Sequence, residues 1–176
     1  MTEKDDMEQI FYDDVSSKDI PFRIFFLEDS RIILTGFSLS VPESMRPNAI
    51  IRKDFRWRSL FLRYFSGEKT DLSSLPIHIE YFSPSAFQRC VWEACRHVGY
   101  SETISYSALS EKFSLGNPRA VGNAISKNPL PLIIPCHRVV AKKGIGGFMG
   151  STAEKDLSVK RRLLELESSD GASETR

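Results

Sequence analysis

The spacing of apolar positions changes period several times along this chain, and each change marks an element. Between Phe22 and Leu39 two β-rich runs, Ile24 to Leu27 and Ile32 to Leu39, flank Glu28-Asp29-Ser30 in the pattern of a hairpin. Asn48 is placed to cap a helix reaching to about Phe65, with Ile51, Phe55, Leu62 and Phe65 on the face that packs on the hairpin and Gly67 just past its end. Arg52, Lys53, Arg56 and Arg63 then form its solvated side. Ile77, Ile79 and Tyr81 alternate with His78 and Glu80, which predicts a half-buried strand. Ser83-Pro84 opens a helix in cap-then-proline order, because proline in the first turn forfeits only an amide that lacks an intrahelical partner. Phe87, Val91, Ala94, Cys95 and Val98 form its apolar stripe, and Gly99 ends it.

Tyr106 to Phe113 reads as a short helix, Ser114 to Asn117 as a turn, and Pro118 to Ser126 as a second helix that Asn117 caps and Val121, Ala124 and Ile125 bury. Together they make a helix-turn-helix pattern, a weak signal because small domains pair short helices for packing alone. The small residues Ala120, Gly122 and Ala124 let the second helix approach another surface closely. Gly144-Ile145-Gly146-Gly147 reads as a permissive loop, and the last helix runs from about Asp156 to Glu167 with Val159, Leu163 and Leu166 on one side. Residues 1–18, polar and acidic, read as loosely attached, and 168–176 as a disordered tail.

Hydrophobic content of 41% and charged content of 27% in 176 residues fit an ordinary globular chain with a sizeable core. An apolar run of about 18 residues and a basic start leading into an apolar segment are both missing, so an intracellular protein off the membrane is expected, the cytoplasm ahead of the nucleus. Cys90, Cys95 and Cys136 are odd in number and the first two lie in one helix, so they suggest no disulfide framework and Cys90 and Cys95 read as core thiols. His78, His97 and His137 lack metal-ligand spacing with them, so neither a metal nor another cofactor is expected. Charge is uneven: residues 1–20 hold seven acids against Lys4 and Lys18, a net of −5, whereas Arg119 to Arg162 hold nine bases against Glu154 and Asp156, a net of +7. The basic half suits a polyanion, although such a run is more often a solvated face.

That half contains Asn128-Pro129-Leu130-Pro131-Leu132-Ile133-Ile134-Pro135-Cys136-His137-Arg138-Val139-Val140. Three prolines restrict the backbone ahead of Cys136, because proline presets its own φ and pushes the preceding residue toward extended conformations. His137 is a proton acceptor, Arg138 and nearby lysines favour an anion, and the thiolate is the reactive form of cysteine. Adjacent side chains on a strand point to opposite faces, so His137 serves Cys136 only if the backbone turns there or a water bridges them. Glu167 is a candidate to hold the imidazole in one tautomer, though its position alone reads as a surface carboxylate. Spacing leaves open a nucleophile, a cysteine hydrolase of Cys136 and His137, or an inert thiol.

Pro135-Cys136-His137-Arg138-Val139 resembles the active-site signature of the O6-alkylguanine-DNA alkyltransferases, or methylated-DNA–protein-cysteine methyltransferases. Phe87-Gln88 through Val91-Trp92 resembles that family's opening helix, Thr103-Ile104-Ser105-Tyr106 its tyrosine segment, Asn117-Pro118-Arg119-Ala120-Val121-Gly122 its recognition helix, and Asn128-Pro129-Leu130-Pro131 its asparagine hinge. The resemblance is strong from about Phe82 to Glu167 and weak before that. It implies an α+β fold: a small N-terminal sheet-plus-helix domain (1–81), a mostly helical alkyl-acceptor domain with a helix-turn-helix (82–167), and the tail. It also implies direct-reversal DNA repair, in which an alkyl group passes irreversibly from O6 of a flipped guanine, or O4 of thymine, to the cysteine, once per chain.

Carried over by position, Cys136 is the acceptor, His137 its base through a water, Glu167 the orienter of His137, Tyr106 the proton donor to the guanine ring, and Asn128 the brace of the hinge. Arg119 becomes the finger that replaces the flipped nucleotide, with Ala120, Gly122, Thr103 and Tyr106 against DNA and the helix in the minor groove. Pro131, Val139, Phe148 and Met149 line the substrate pocket, and the Val139 carbonyl and amides near Cys136 read the guanine edge. The implied partner is double-stranded DNA carrying alkylguanine, bound by a monomer. One departure is Phe148-Met149-Gly150-Ser151 where many members have a tyrosine, a small or polar residue and two glycines, which implies a smaller or differently shaped alkyl pocket. The alternative of another class is a non-catalytic damage-binding or helix-turn-helix regulatory module.

Overall fold

A computed structural model of the chain describes residues 9–15, 20–37 and 49–168. The predicted hairpin is present as β2 (Arg23–Phe26) and β3 (Ile32–Gly36), inside a larger sheet that also takes in β1 (Ile10–Asp14) and β4 (Ala49–Ile51) in the order β3-β2-β1-β4. β1 pairs antiparallel with β2 and parallel with β4. The loose attachment expected for residues 1–18 is therefore wrong for Ile10–Asp14, an interior strand with Ile10, Phe11 and Asp13 buried. Its acidic residues misled because composition does not reveal partners: Asp13 and Asp14 are paired by Arg58 and Arg23.

Helix α1 (Arg58–Phe65) is shorter than predicted, because Ala49–Ile51 is spent on the sheet edge; Asn48, the expected cap, lies outside the described residues. Its inner face is Phe61, Tyr64 and Phe65, while Ile51 and Leu62 are exposed. Phe22, just ahead of β2, receives that face, its ring 5.8 Å from Phe61 and 5.5 Å from Phe65. The strand expected at Ile77–Tyr81 is reduced to one bridge from Ile77 to Ile32, followed by a 3-10 turn at Ile79–Phe82 that leaves Tyr81 and Phe82 exposed.

Helix α2 (Ala86–Arg96) starts two residues later than predicted. Its cap is Ser85 in a reciprocal capping box with Gln88, whereas Ser83 sits in the left-handed region at φ 44°. Phe87 is exposed; Trp92 is buried instead and its Nε1 donates to the Ala124 carbonyl at 2.8 Å. Cys95 is buried as expected but Cys90, a helical step off the stripe, is exposed. β5 (Ile104–Ser105), α3 (Tyr106–Lys112), α4 (Pro118–Ser126), β6 (Val139–Val140) and α5 (Glu154–Ser168) follow; 169–176 lie outside the described residues. One apolar cluster joins Phe11, Phe22 and Phe61 to Val91, Trp92, Ile133 and Leu163, so both sequence halves share a core. Among the described residues no helix is long and apolar enough to cross a membrane.

Candidate active site

The run before Cys136 is held from both sides. Asn128 Oδ1 accepts from the Leu130 amide at 2.9 Å while its Nδ2 donates to the Ile134 carbonyl at 2.8 Å, clamping the Pro129–Ile133 turn at its base. Thr35 of β3 reaches the same turn, its amide donating to Pro129 at 3.1 Å and its hydroxyl to Pro131 at 2.8 Å. Leu132 is thereby kept at φ 74°, a conformation that costs a non-glycine residue about 1–2 kcal/mol. Cys136–Arg138 is a turn of 3-10 helix, not extended strand, so the opposite-face geometry that would separate Cys136 from His137 does not apply. The Cys136 amide donates to Ile134 at 2.7 Å and the Arg138 amide to Pro135 at 3.0 Å, so both serve the loop itself.

Glu167 is buried, contrary to its surface reading, and gathers the groups behind Cys136. Its Oε1 accepts from His137 Nε2 at 2.8 Å and Arg138 Nη2 at 2.9 Å, and its Oε2 from Arg138 Nε at 2.9 Å. Arg138 Nη1 donates to the Val98 carbonyl at 2.7 Å, so this base is committed to the network and does not offer itself to an outside anion. A carboxylate can only accept, which fixes His137 as the Nε2–H tautomer. Its Nδ1 is buried and makes no hydrogen bond to the protein, leaving that lone pair for a proton. Burial pushes the Glu167 carboxyl up, but His137 and Arg138 outweigh it and hold the pKa at about 2. Burial lowers the His137 pKa, with Glu167 opposing, and raises that of Cys136, with Asn128 and Lys160 pulling it partly back. The resting pair is a neutral thiol beside a neutral imidazole.

The parallel pairing of β5 with β6 puts Ile104 opposite Val139 and Ser105 opposite Val140, which carries Tyr106 to the cysteine loop. Tyr106 and Cys136 line a cavity of about 90 Å³ with Gly122, Ile125, Ser126, Gly147, Phe148, Met149 and Gly150. Burial, then Cys136, raise the pKa of Tyr106, so its hydroxyl keeps its proton. Gly146 lets the loop pass close: at φ 72° an added Cβ would stand 3.2 Å from the Tyr106 ring. Met149 and Gly150 have φ 49° and 77°, the two-residue turn geometry that mutual bonds of 2.9 Å between Phe148 and Ser151 close. Phe148 is buried against Phe37, with ring centroids 5.6 Å apart, and Met149 is exposed at the mouth.

Helix α4 presents its outer side beside this mouth. Asn117 accepts from the Arg119 amide at 2.8 Å, Pro118 occupies the first turn, and Arg119 and Ala120 are exposed. Thr103 is also exposed, while Pro131 is buried in the turn held by Thr35. Of the nine bases counted between Arg119 and Arg162, Arg138 and Lys160 are buried and Arg161 is paired with Glu154, so the basic surface is smaller than the sequence suggests.

Lys160 escaped the sequence reading. It is buried, and its Nζ donates to the Val139 carbonyl at 2.6 Å and to that of Gly147 at 2.9 Å, tying the cysteine turn to the glycine loop. Burial brings its pKa down to about 8, with Cys136 acting the other way. Val139 keeps a second lone pair for a ligand. The signal was periodic: Lys160, Leu163 and Glu167 share a face at i, i+3 and i+7, and all three are buried. The charges of Lys160 and Glu167 argued for the opposite side.

A family profile described as 6-O-methylguanine DNA methyltransferase, DNA binding domain, matches residues 86–169. A Metallosphaera sedula protein named methylated-DNA–protein-cysteine methyltransferase is 37% identical over 142 residues, 81% of this chain and 83% of that protein. An Archaeoglobus fulgidus protein of the same name is 44% identical over 106 residues, 60% of this chain and 69% of that one. Among solved structures, the Mycobacterium tuberculosis O6-methylguanine methyltransferase superposes with a TM-score of 0.77 at 27% identity, covering 92% of this chain and 94% of its own. The same organism's OGT in complex with DNA superposes at 0.74 and 28% identity, covering 90% and 93%.

Proposed function

Since this chain belongs to the methylated-DNA–protein-cysteine methyltransferase family, we propose that Cys136 is its alkyl acceptor and that the buried assembly around it drives the transfer. The protein repairs DNA by direct reversal, taking the alkyl group from O6 of guanine onto a cysteine of its own in a single turnover. The observation that carries the assignment of the acceptor is the His137–Glu167 contact of 2.8 Å, which leaves Nδ1 of His137 as the base on the cysteine's own turn.

His137 takes the Cys136 proton through a water. The sulfur lone pair forms the S–C bond as the C–O6 bond breaks, and the bonding electrons pass into the purine. Tyr106 lends its proton to the ring and regains one from the bath, to which His137 releases the thiol proton, so the net proton moves from thiol to guanine. A base inside the duplex cannot reach a buried thiol, so it is flipped out, with Arg119 filling the gap from the minor groove. The product thioether is stable, which ends the activity of that molecule. We place the protein in the cytoplasm, acting as a monomer, with residues 82–167 as the working domain and 1–81 as its support.

Intact mass measured after incubation with methylated duplex DNA is expected to rise by one methylene, mapping to Cys136. An unmodified mass under conditions of DNA binding would instead favour the damage-binding reading. The mouth carries a second expectation: a cavity of about 90 Å³ is small beside ordinary ligand pockets of roughly 300–1,000 Å³, and the Phe148 ring on Phe37 limits its growth. Methyl transfer should therefore outrun benzyl transfer in single-turnover assays, and equal rates would refute a restrictive rim.

A further inference from the structure

Tyr64 belongs to α1, in the half of the chain the resemblance covers weakly, yet its hydroxyl donates to Glu167 Oε1 at 2.8 Å. That is the oxygen that accepts from His137 Nε2. Tyr64 is 1% exposed and Glu167 likewise, so no solvent competes for the contact. Its ring stands edge-on to Tyr100, whose face looks toward the Arg138 guanidinium 5.7 Å away. Burial, and then Glu167, push the Tyr64 pKa well above the ordinary tyrosine value, so it remains a donor across the working pH range.

We propose that Tyr64 is a positioning residue of the transfer reaction: by holding the Glu167 oxygen that His137 also uses, it sets the basicity of the imidazole that serves Cys136. The inference rests on His137 acting as the base. Three donors on one carboxylate oxygen spread its charge, so less is left to stabilise an imidazolium. Taking the hydroxyl away returns that charge to His137. The imidazole then holds its proton to higher pH, and less of the free base is present near neutrality. The N-terminal sheet and helix would thus tune the chemistry as well as support the fold. The groups facing His137 are Glu167 and Lys160 from α5 and Cys136 and Arg138 from its own turn, with Tyr64 and Tyr100 behind Glu167.

The test is nitrogen-resolved NMR of His137, in a chain whose His78 and His97 are replaced by Gln, alongside single-turnover methyl transfer as a function of pH. The wild type should show the Nε2–H tautomer and an acid limb below the ordinary histidine range. In Tyr64→Phe both midpoints should move up together by about half a unit to one unit. Site-specific 3-fluorotyrosine at position 64 keeps ring and hydroxyl but donates more strongly, and should move them down; it also serves if the Phe variant does not fold. A purely structural tyrosine would lower the melting temperature and leave both midpoints in place, which overturns the proposal, as does a shift of the same sign in both variants. If the wild type transfers no methyl to Cys136, the functional reading fails instead, while the NMR midpoints still report on Tyr64.

Discussion

Cys136→Ala is expected to abolish transfer of labelled methyl from DNA to protein and to leave DNA binding in place. Arg119 and Ala120 on α4 are exposed and do not line the Cys136 cavity, so the surface proposed to meet DNA should survive the change. The buried site loses only a sulfur atom, and the small cavity beside it already exists, so the cost to folding is modest. The two remaining thiols are poor substitutes. Cys95 is buried in the core with its pKa raised by that burial, and Cys90 is exposed on α2 beside a different cleft. Gel-resolved label transfer and a DNA-binding titration on the same preparation check both halves, and transfer persisting in the variant would move the acceptor role to one of those thiols.

Glu167→Gln is expected to have the next largest effect, on stability and rate together. The substitution keeps the shape of the side chain but leaves the buried Arg138 guanidinium without its counter-charge. Breaking a buried pair from one side costs about 3–5 kcal/mol, which for a chain of this size lowers the melting temperature by roughly 6–20 °C. The pH dependence gives a sharper signature. The Glu167 carboxyl is held at about 2 in the fold against an ordinary 4.5, so between those values the unfolded chain binds a proton that the folded one refuses. Its stabilisation is complete above 4.5 and drains away as pH falls toward 2. Glutamine does not titrate, so the variant should lose less stability than the wild type across that window. Transfer should slow as well, because an amide can present its N–H to His137 and no longer enforces the Nε2–H tautomer. Melting curves at pH 7 and through the acid range, with single-turnover rates, check the set. Wild-type acid sensitivity in the variant would remove Glu167 from the network's electrostatics.

Helix α4 was legible in the sequence because its determinants are local: Asn117 caps it, Pro118 fits its first turn, and Val121, Ala124 and Ile125 repeat at helical spacing. The hairpin and the order α3-turn-α4 were legible for the same reason. Errors fell where a long-range partner outweighed local preference. Ile10–Asp14 looked solvated until Arg23 and Arg58 took up its carboxylates, and Ala49–Ile51 left a predicted helix to pair with β1. Ser83 lost the α2 cap to Ser85, which alone has Gln88 at the reciprocal position.

The sequence by itself determined which side chains could do chemistry: the proline-restricted approach to Cys136, the adjoining His137, and the motif spacing that resembles a known family. The tertiary structure alone decided their surroundings. Whether Arg138, Lys160 and Glu167 face water or the interior depends on partners brought in from α1, β6, the glycine loop and the end of α2. A charged group enters the interior only where such partners already wait for it. Tyr64 meets Glu167 across 103 positions of sequence, a contact that neither spacing nor periodicity encodes. It exists because one apolar core closes both halves of the chain over the same carboxylate.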